Sequence, residues 1–380
     1  MNPSIFCDYN AGAPMRPEAL AAWLEAARAL GNPSSVHGDG RRAHARLERA
    51  REDIAACLGA RSMDIVFTSG ATEAAHLALE GAWAGGVRRL AVSAIEHEAV
   101  FAGAHKLDPG CAVLPVEAKG GLDLAVLREF AGAEDQPFLL ALMLVNNETG
   151  AIQPVTEAAE IVHQAGGVLL CDAAQGLGRV PVSLGPLGAD YLIASGHKLG
   201  GGPGAGVLAM ACGSPFAAPR AGGGQERGRR PGTENLPAIS ALAACLPACL
   251  AEREAQMQRQ RALRDDLEAQ LAARFCEVQI FADAGPRVAN TSCLAMPGLS
   301  AETALIGLDL AGVRASSGAA CSSGKVRPSR VLSAMGIAPE RAAEAIRLSF
   351  GWASTASDVE AILTAFARIG ARRHQLQGIE

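Results

Sequence analysis

Charge is scarce in this chain: Asp, Glu, Lys and Arg make up 19% of its 380 residues, against about 25% in an average globular protein. The 34 basic and 39 acidic residues leave a formal net charge of −5, which gives no global pull toward nucleic acid or an anionic membrane. The 43 glycines follow no period, so collagen-like and solenoid architectures are excluded. No CxxC pair occurs among the 10 cysteines, which argues against a zinc knuckle. Cys7, Cys57, Cys111, Cys171, Cys212, Cys276, Cys293 and Cys321 stand alone, and Cys245 and Cys249 share one apolar helical face. Most read as small buried hydrophobes of a reduced, cytoplasmic protein. The opening MNPSIFCDYNAGAP lacks the basic and apolar regions of a signal peptide. The longest weakly polar run, 238–251, contains Ser240 and Pro247 and falls short of the ~18 apolar residues that a membrane span needs. Neither GxGxxG nor a Walker A motif is present. The nearest approach, running from Gly318 to Lys325, has one residue too many and Val326 where Ser or Thr is required.

What the sequence does contain is apolar patterning. Hydrophobic residues reach 49%, ample for real cores, and the length suggests about two domains. Short apolar runs at 65–67, 90–94, 139–145, 168–171, 191–194 and 206–210 predict buried strands. Between them, 72–83, 123–130 and 155–165 carry helical periodicity. This alternation predicts an α/β layer with a mainly parallel sheet and ligands at the strands' carboxyl ends. From about Ala251 a long charged helix leads toward a smaller α+β region, with strands at 291–295 and 345–349 and a kink at Pro247.

Several residues at predicted strand ends carry chemistry. Ser69-Gly70-Ala71-Thr72-Glu73 follows a strand and opens a helix, which is either a phosphate-holding N-terminus or a simple capping turn. Asp172 ends one strand, with Gln175 three residues on; the next strand delivers Ser195, His197 and Lys198. Asp172 and Lys198 fit an ordinary ion pair. They also fit a partner for a heteroaromatic nitrogen and a Schiff-base amine. With Thr72 for a phosphate and His97 to stack on a ring, the four parts of a pyridoxal phosphate site are present.

Ten ordered motifs carry a resemblance over nearly the whole length: DYNAGAP at 8–14, GNPSSVHGDG at 31–40, FTSGATEA at 67–74, EHEAV at 96–100, VNNETG at 145–150, CDAAQGLG at 171–178, SGHKLGG at 195–201, GGGQERGRRPGTEN at 222–235, SSGAACSS at 316–323 and IRLSFG at 346–351. The chain resembles the pyridoxal-phosphate cysteine desulfurases of the NifS/IscS type, in the aminotransferase class V family. The resemblance implies a fold-type I transferase with a mainly parallel seven-stranded sheet. Its large cofactor domain would span 15–250, and 1–14 with 251–380 would form a smaller domain carrying a mobile loop at about 316–328.

Carried over motif by motif, Lys198 resembles the lysine that bears the cofactor, and Asp172 the partner of its ring nitrogen. Gln175 matches the residue bonding the phenolic oxygen and His97 the stacked imidazole and acid/base. Ala71, Thr72, Ser195 and His197 match the phosphate cradle, completed by Thr233 from a second subunit of a homodimer. Asn147 and Arg347 match contacts to cofactor and substrate carboxylate, although Arg347 also fits a strand-edge salt bridge. Cys321, among small residues, matches the nucleophile that takes sulfur from L-cysteine as a persulfide, leaving alanine. A sulfur-acceptor protein such as an iron–sulfur scaffold is the implied partner, with neither nucleic acid nor membrane. No resident metal is implied, although Cys321 could touch a cluster transiently; the Cys245/Cys249 pair supports a metal only weakly. The chain departs from the family pattern at Gly12-Ala13, Leu170, Pro203 and Ala319. A selenocysteine lyase, an aminotransferase and a non-catalytic sulfur-transfer scaffold are the alternatives.

Overall fold

The computed structural model describes residues 4–134, 136–275, 277–317 and 329–377, the side chains of 371–377 excepted. A seven-stranded sheet forms its centre, in the spatial order Ile65–Thr68, Gly206–Met210, Tyr191–Ser195, Val168–Asp172, Phe138–Met143, Arg89–Ser93, Ala112–Leu114. Only Gly206–Met210 runs against its neighbours; the strands from Tyr191–Ser195 to Ala112–Leu114 pair in parallel. The mainly parallel sheet read from the sequence is therefore present, and the six runs predicted as strands all lie in it. The seventh, Ala112–Leu114, has three residues, one of them exposed, too short to leave an apolar run.

Continuous apolar strands follow from burial on both faces. Alternate residues of each strand divide between two cores. Leu90, Val92, Leu139, Ala141, Leu170, Ile193 and Leu208 pack on one side with Ala74, Leu77 and Ala78 of helix Ala71–Ala84. Phe67, Ala91, Leu140, Leu142, Cys171 and Leu192 pack on the other with Leu47, Ile54, Ala158 and Val162. Leu170, a departure from the family pattern, is thus an interior side chain of the first core.

The charged helix expected from Ala251 begins earlier. It spans Leu236–Arg274 and runs on through Pro247. Its first half joins the sheet's core through Ala238, Leu242, Cys245 and Cys249. Its second half joins a separate core through Leu263, Leu267 and Leu271, with Leu294, Ile346, Leu348 and Phe366. The sequence showed a change of texture because the first half is apolar nearly all round, not because the helix starts there. By length and composition this helix is apolar enough to cross a membrane, with mean hydropathy 1.3 over 18 residues, contrary to the shortfall expected from 238–251. Of that window, 56% is buried inside the protein.

A second sheet, ordered Ser316–Ser317, Ala345–Ser349, Thr291–Ala295, Gln279–Ile280, is antiparallel throughout. The N-terminal strand Ile5–Phe6 pairs with Val313–Arg314, and Asp8 bridges to Ser349. The segment after it enters the interior: Asn10 is 1% exposed, and its side-chain amide donates to Asn147 O and Thr291 Oγ1. That tether brings main chain from the start of the sequence to the strand ends of the large sheet.

Candidate active site

The carboxyl ends of the parallel strands surround a cavity of about 530 Å³. Asp172 is the last residue of Val168–Asp172, and Ser195 the last of Tyr191–Ser195. A single 3-10 turn, Gly196–Lys198, then carries Lys198 over the strand end. Beside it the turn Ser69-Gly70 opens helix Ala71–Ala84. The approach is close: a Cβ on Gly206 would lie 2.4 Å from the carbonyl carbon of Gly70, so only glycine lets this strand pass the turn. Ala71, Thr72, His97, Asn147, Asp172, Gln175, Ser195, His197, Lys198 and Arg347 all line the cavity. Of the remaining sequence-derived residues, Thr233 is exposed and does not line it, and Cys321 lies outside the described residues, as does Ala319.

Lys198 donates through Nζ to the carbonyls of Asn10 at 2.6 Å and Ala11 at 2.8 Å. Among the described residues no carboxylate comes within ion-pair range of it, so Lys198 and Asp172 are not the ordinary pair that their sequence positions allowed. Burial, then Arg179 and Arg347, bring the Lys198 amine down to about 8, against the opposing pull of Asp8 and Asp172. Asp172 accepts the Ala174 N–H at 2.9 Å. Burial raises its carboxyl, opposed by that N–H and by His97 and Lys198, so a cation set against it would be stabilised.

His197 Nδ1 and Ser195 Oγ are 2.7 Å apart. Burial, helped by Lys198, holds the His197 imidazole down at about 4, so it is neutral at working pH. The ring of His97 is fixed by the Ala99 N–H, which donates to Nδ1 at 3.1 Å as the helix Glu98–Leu107 begins. Arg347 donates to Asn147 O at 2.8 Å and to Asp8 Oδ1 at 2.6 Å, while its buried Nε has no partner among the described residues. Gln175 donates through Nε2 to Asn10 O at 2.8 Å.

These residues suit pyridoxal phosphate. The helix start at Gly70 has no side-chain cap, which leaves the first turn of a 14-residue helix facing Ser195 and His197 as an anion site. Glu73 does reach back to the Ser69 N–H at 2.7 Å, so the capping reading of this motif holds for one donor. A buried carboxyl and an amine in one cavity, neither in an ion pair among the described residues, match a ring cation and an aldehyde carbon. The unpartnered Nε of Arg347 matches an incoming carboxylate.

Sequence reasoning assigned no role to Asp8, Asn10, Ala11 or Arg179. Two of these act through main-chain carbonyls, which leave no side-chain signature; membership of the DYNAGAP stretch was the available signal. Cys245 and Cys249 stand 3.6 Å apart, sulfur to sulfur, and both thiols donate to the carbonyl of Leu199 at 3.4 Å.

The aminotransferase class-V family model matches residues 5–362. A cysteine desulfurase of Cereibacter sphaeroides is 38% identical over 94% of each chain. An IscS-like cysteine desulfurase of Mycobacterium tuberculosis is 35% identical, again over 94% of each. Among solved structures, a NifS-like protein from Rickettsia africae superposes with a TM-score of 0.89 at 31% identity, covering 97% of this chain and 99% of that one. On this agreement of sequence and fold over nearly the whole chain, it belongs to the class-V aminotransferase family of pyridoxal-phosphate enzymes, among its cysteine desulfurases.

Proposed function

We infer that the protein is a pyridoxal-phosphate-dependent cysteine desulfurase that converts L-cysteine to L-alanine and holds the sulfur as a persulfide on Cys321. The observation that carries this is Lys198, held by two carbonyls and, among the described residues, by no carboxylate, in one cavity with Asp172, His97 and Arg347. Ala71, Thr72, Ser195 and His197 would hold the phosphate, Asp172 the ring nitrogen, Gln175 the phenolic oxygen and Lys198 the aldehyde carbon. When bound, the cofactor supplies a conjugated ring that withdraws electrons from the substrate.

The chain's own residues do the rest. Arg347 grips the substrate carboxylate, with Asn147 O bracing one arm of its fork. Lys198, depressed to about 8, is available near neutral pH as the base that takes the proton from Cα. His97, oriented by Ala99 N–H, handles a proton near the substrate sulfur. Cys321 attacks that sulfur: an S–S bond forms and the Cβ–S bond breaks. Cysteine and the Cys321 thiol become alanine and the Cys321 persulfide, and this balances without another co-reactant.

The residues flanking the Cys321 segment support this assignment. Ser316 and Ser317 line the cavity and pair with Arg347 and Ile346. On the far side Ser329 donates to Glu148 at 2.5 Å, and Arg330 stacks over Phe101 and donates to Glu96 O. Both stems are thereby tied to elements that carry Arg347, Asn147 and His97. The chain is read as a cytoplasmic homodimer with large and small domains divided near residue 250. It would pass sulfur to an acceptor protein such as an iron–sulfur scaffold. Incubation with L-cysteine should yield alanine and Cys321 persulfide in equal amounts, and borohydride reduction should place a pyridoxyl label on Lys198. A label on another lysine, or none on a yellow protein, would sink the assignment.

A further inference from the structure

Among the described residues, Arg179 is an arginine of this region with no carboxylate beside it. Arg16, Arg51, Arg287 and Arg347 each meet a carboxylate at 3.0 Å or less. Among the described residues Arg179 meets only oxygens of neutral groups: Nη1 donates to Gln175 O at 3.1 Å and to Gln175 Oε1, and Nη2 to Tyr9 O at 3.5 Å. A partly buried guanidinium left in this state carries its full field into its surroundings.

Two pieces of geometry aim that field at Lys198. Gln175, held by Arg179, donates to the carbonyl of Asn10, and the same carbonyl accepts Lys198 Nζ. Arg179 and Lys198 also line a second small cavity, about 50 Å³, with Tyr9, Arg16, Cys249 and Trp352. The other charged or titratable groups acting on Lys198 are Arg347, Asp8, Asp172 and His197. Of the two cations, Arg347 is offset by Asp8 at 2.6 Å, which leaves Arg179 uncompensated.

We propose that Arg179 is a positioning residue for the reacting lysine: its unneutralised charge favours the free-amine form of Lys198, and its fork fixes Gln175 against the Asn10 carbonyl. A neighbouring cation is a known physical route to an activated amine. Consistent with it, Arg179 stands next after burial among the influences that bring Lys198 to about 8, and is itself lowered to about 10 by burial and Arg347. The proposal rests on Lys198 being the lysine that reacts.

Its test uses the full chain freed of cofactor, with Lys198 titrated by competitive acetylation and peptide mass spectrometry across pH. Arg179→Gln should raise the Lys198 midpoint by about one unit, a roughly tenfold smaller amine fraction at neutral pH. Arg179→Lys, which keeps the charge, should stay within about 0.3 unit of the wild type. The same order should appear in the pH titration of the visible band of the holoenzyme. Should Arg179→Gln fail to fold, Arg179→Met keeps the stem packing and is read in the same way. An unchanged midpoint in the neutral variant would overturn the proposal. So would equal shifts in the Gln and Lys variants, because the charge would then not be what acts. A borohydride label on a different lysine would instead overturn the proposed function, while the titration of Lys198 would still read the effect of Arg179.

Discussion

The carboxylate of Asp8 stands 2.6 Å from Nη2 of Arg347, on one arm of the fork assigned to the substrate carboxylate. The other arm is braced by Asn147 O, and Nε is buried with no partner among the described residues. An arriving amino acid must therefore share or displace Asp8 to be held by two parallel bonds. Asp8→Asn should remove a competitor of like charge and lower KM for L-cysteine by about threefold to tenfold, with kcat changed less. A raised KM in a stably folded variant would show that Asp8 holds the arginine in place instead.

Cys321→Ser should retain the visible cofactor band and its change on adding cysteine, because neither involves this thiol. Persulfide formation should vanish and alanine release fall by at least about a hundredfold, since a hydroxyl is a poor nucleophile toward sulfur. Wild-type alanine release with a thiol acceptor present would remove Cys321 from the mechanism.

Thr233 is exposed and lines no part of its own chain's cavity, as a residue serving a partner's phosphate site would be. Thr233→Asp should repel the phosphate and inactivate the enzyme, as Lys198→Ala does by another route. Refolded together, the two dead variants form heterodimers in which one site combines intact Lys198 with intact Thr233. Desulfurase activity approaching half the wild type per heterodimer is expected. Verified heterodimers with none would place Thr233 in its own subunit's site.

The segment leading to Thr233 is fixed by Glu226, which accepts from Arg51 at 2.7 and 2.8 Å and from Phe67 N–H at 2.7 Å. Glu226 itself sits in the left-handed region, at φ 49°. Glu226→Ala strips the buried Arg51 guanidinium of its bidentate partner and leaves it Glu48 at 2.9 Å and the Ile65 carbonyl at 3.0 Å, which costs about 3 kcal/mol, the low end for breaking a buried pair. Urea denaturation should show a lowered midpoint at unchanged slope. A shift of less than about 1 kcal/mol would mean that water or another carboxylate replaces Glu226.

The sequence by itself determined the alternating layers and the strand ends that carry Asp172 and Lys198. An apolar run bounded by polar residues encodes a buried strand locally, and the residue that ends the run inherits the ligand-facing position. Its ordered motifs also pointed to side chains that the fold gathers around one cavity. It did not reveal that the helix of Leu236–Arg274 is one element shared by two cores, because burial on several sides erases helical periodicity. Nor did it show that Lys198 rests on the carbonyls of Asn10 and Ala11, 188 and 187 residues away, or that Arg179 meets no carboxylate among the described residues. Whether a charge is paired depends on distances across the fold, and main-chain acceptors look alike at every position of a sequence. Burial at the sheet ends, with Arg179 and Arg347 close by, decided the electrostatics of the lysine.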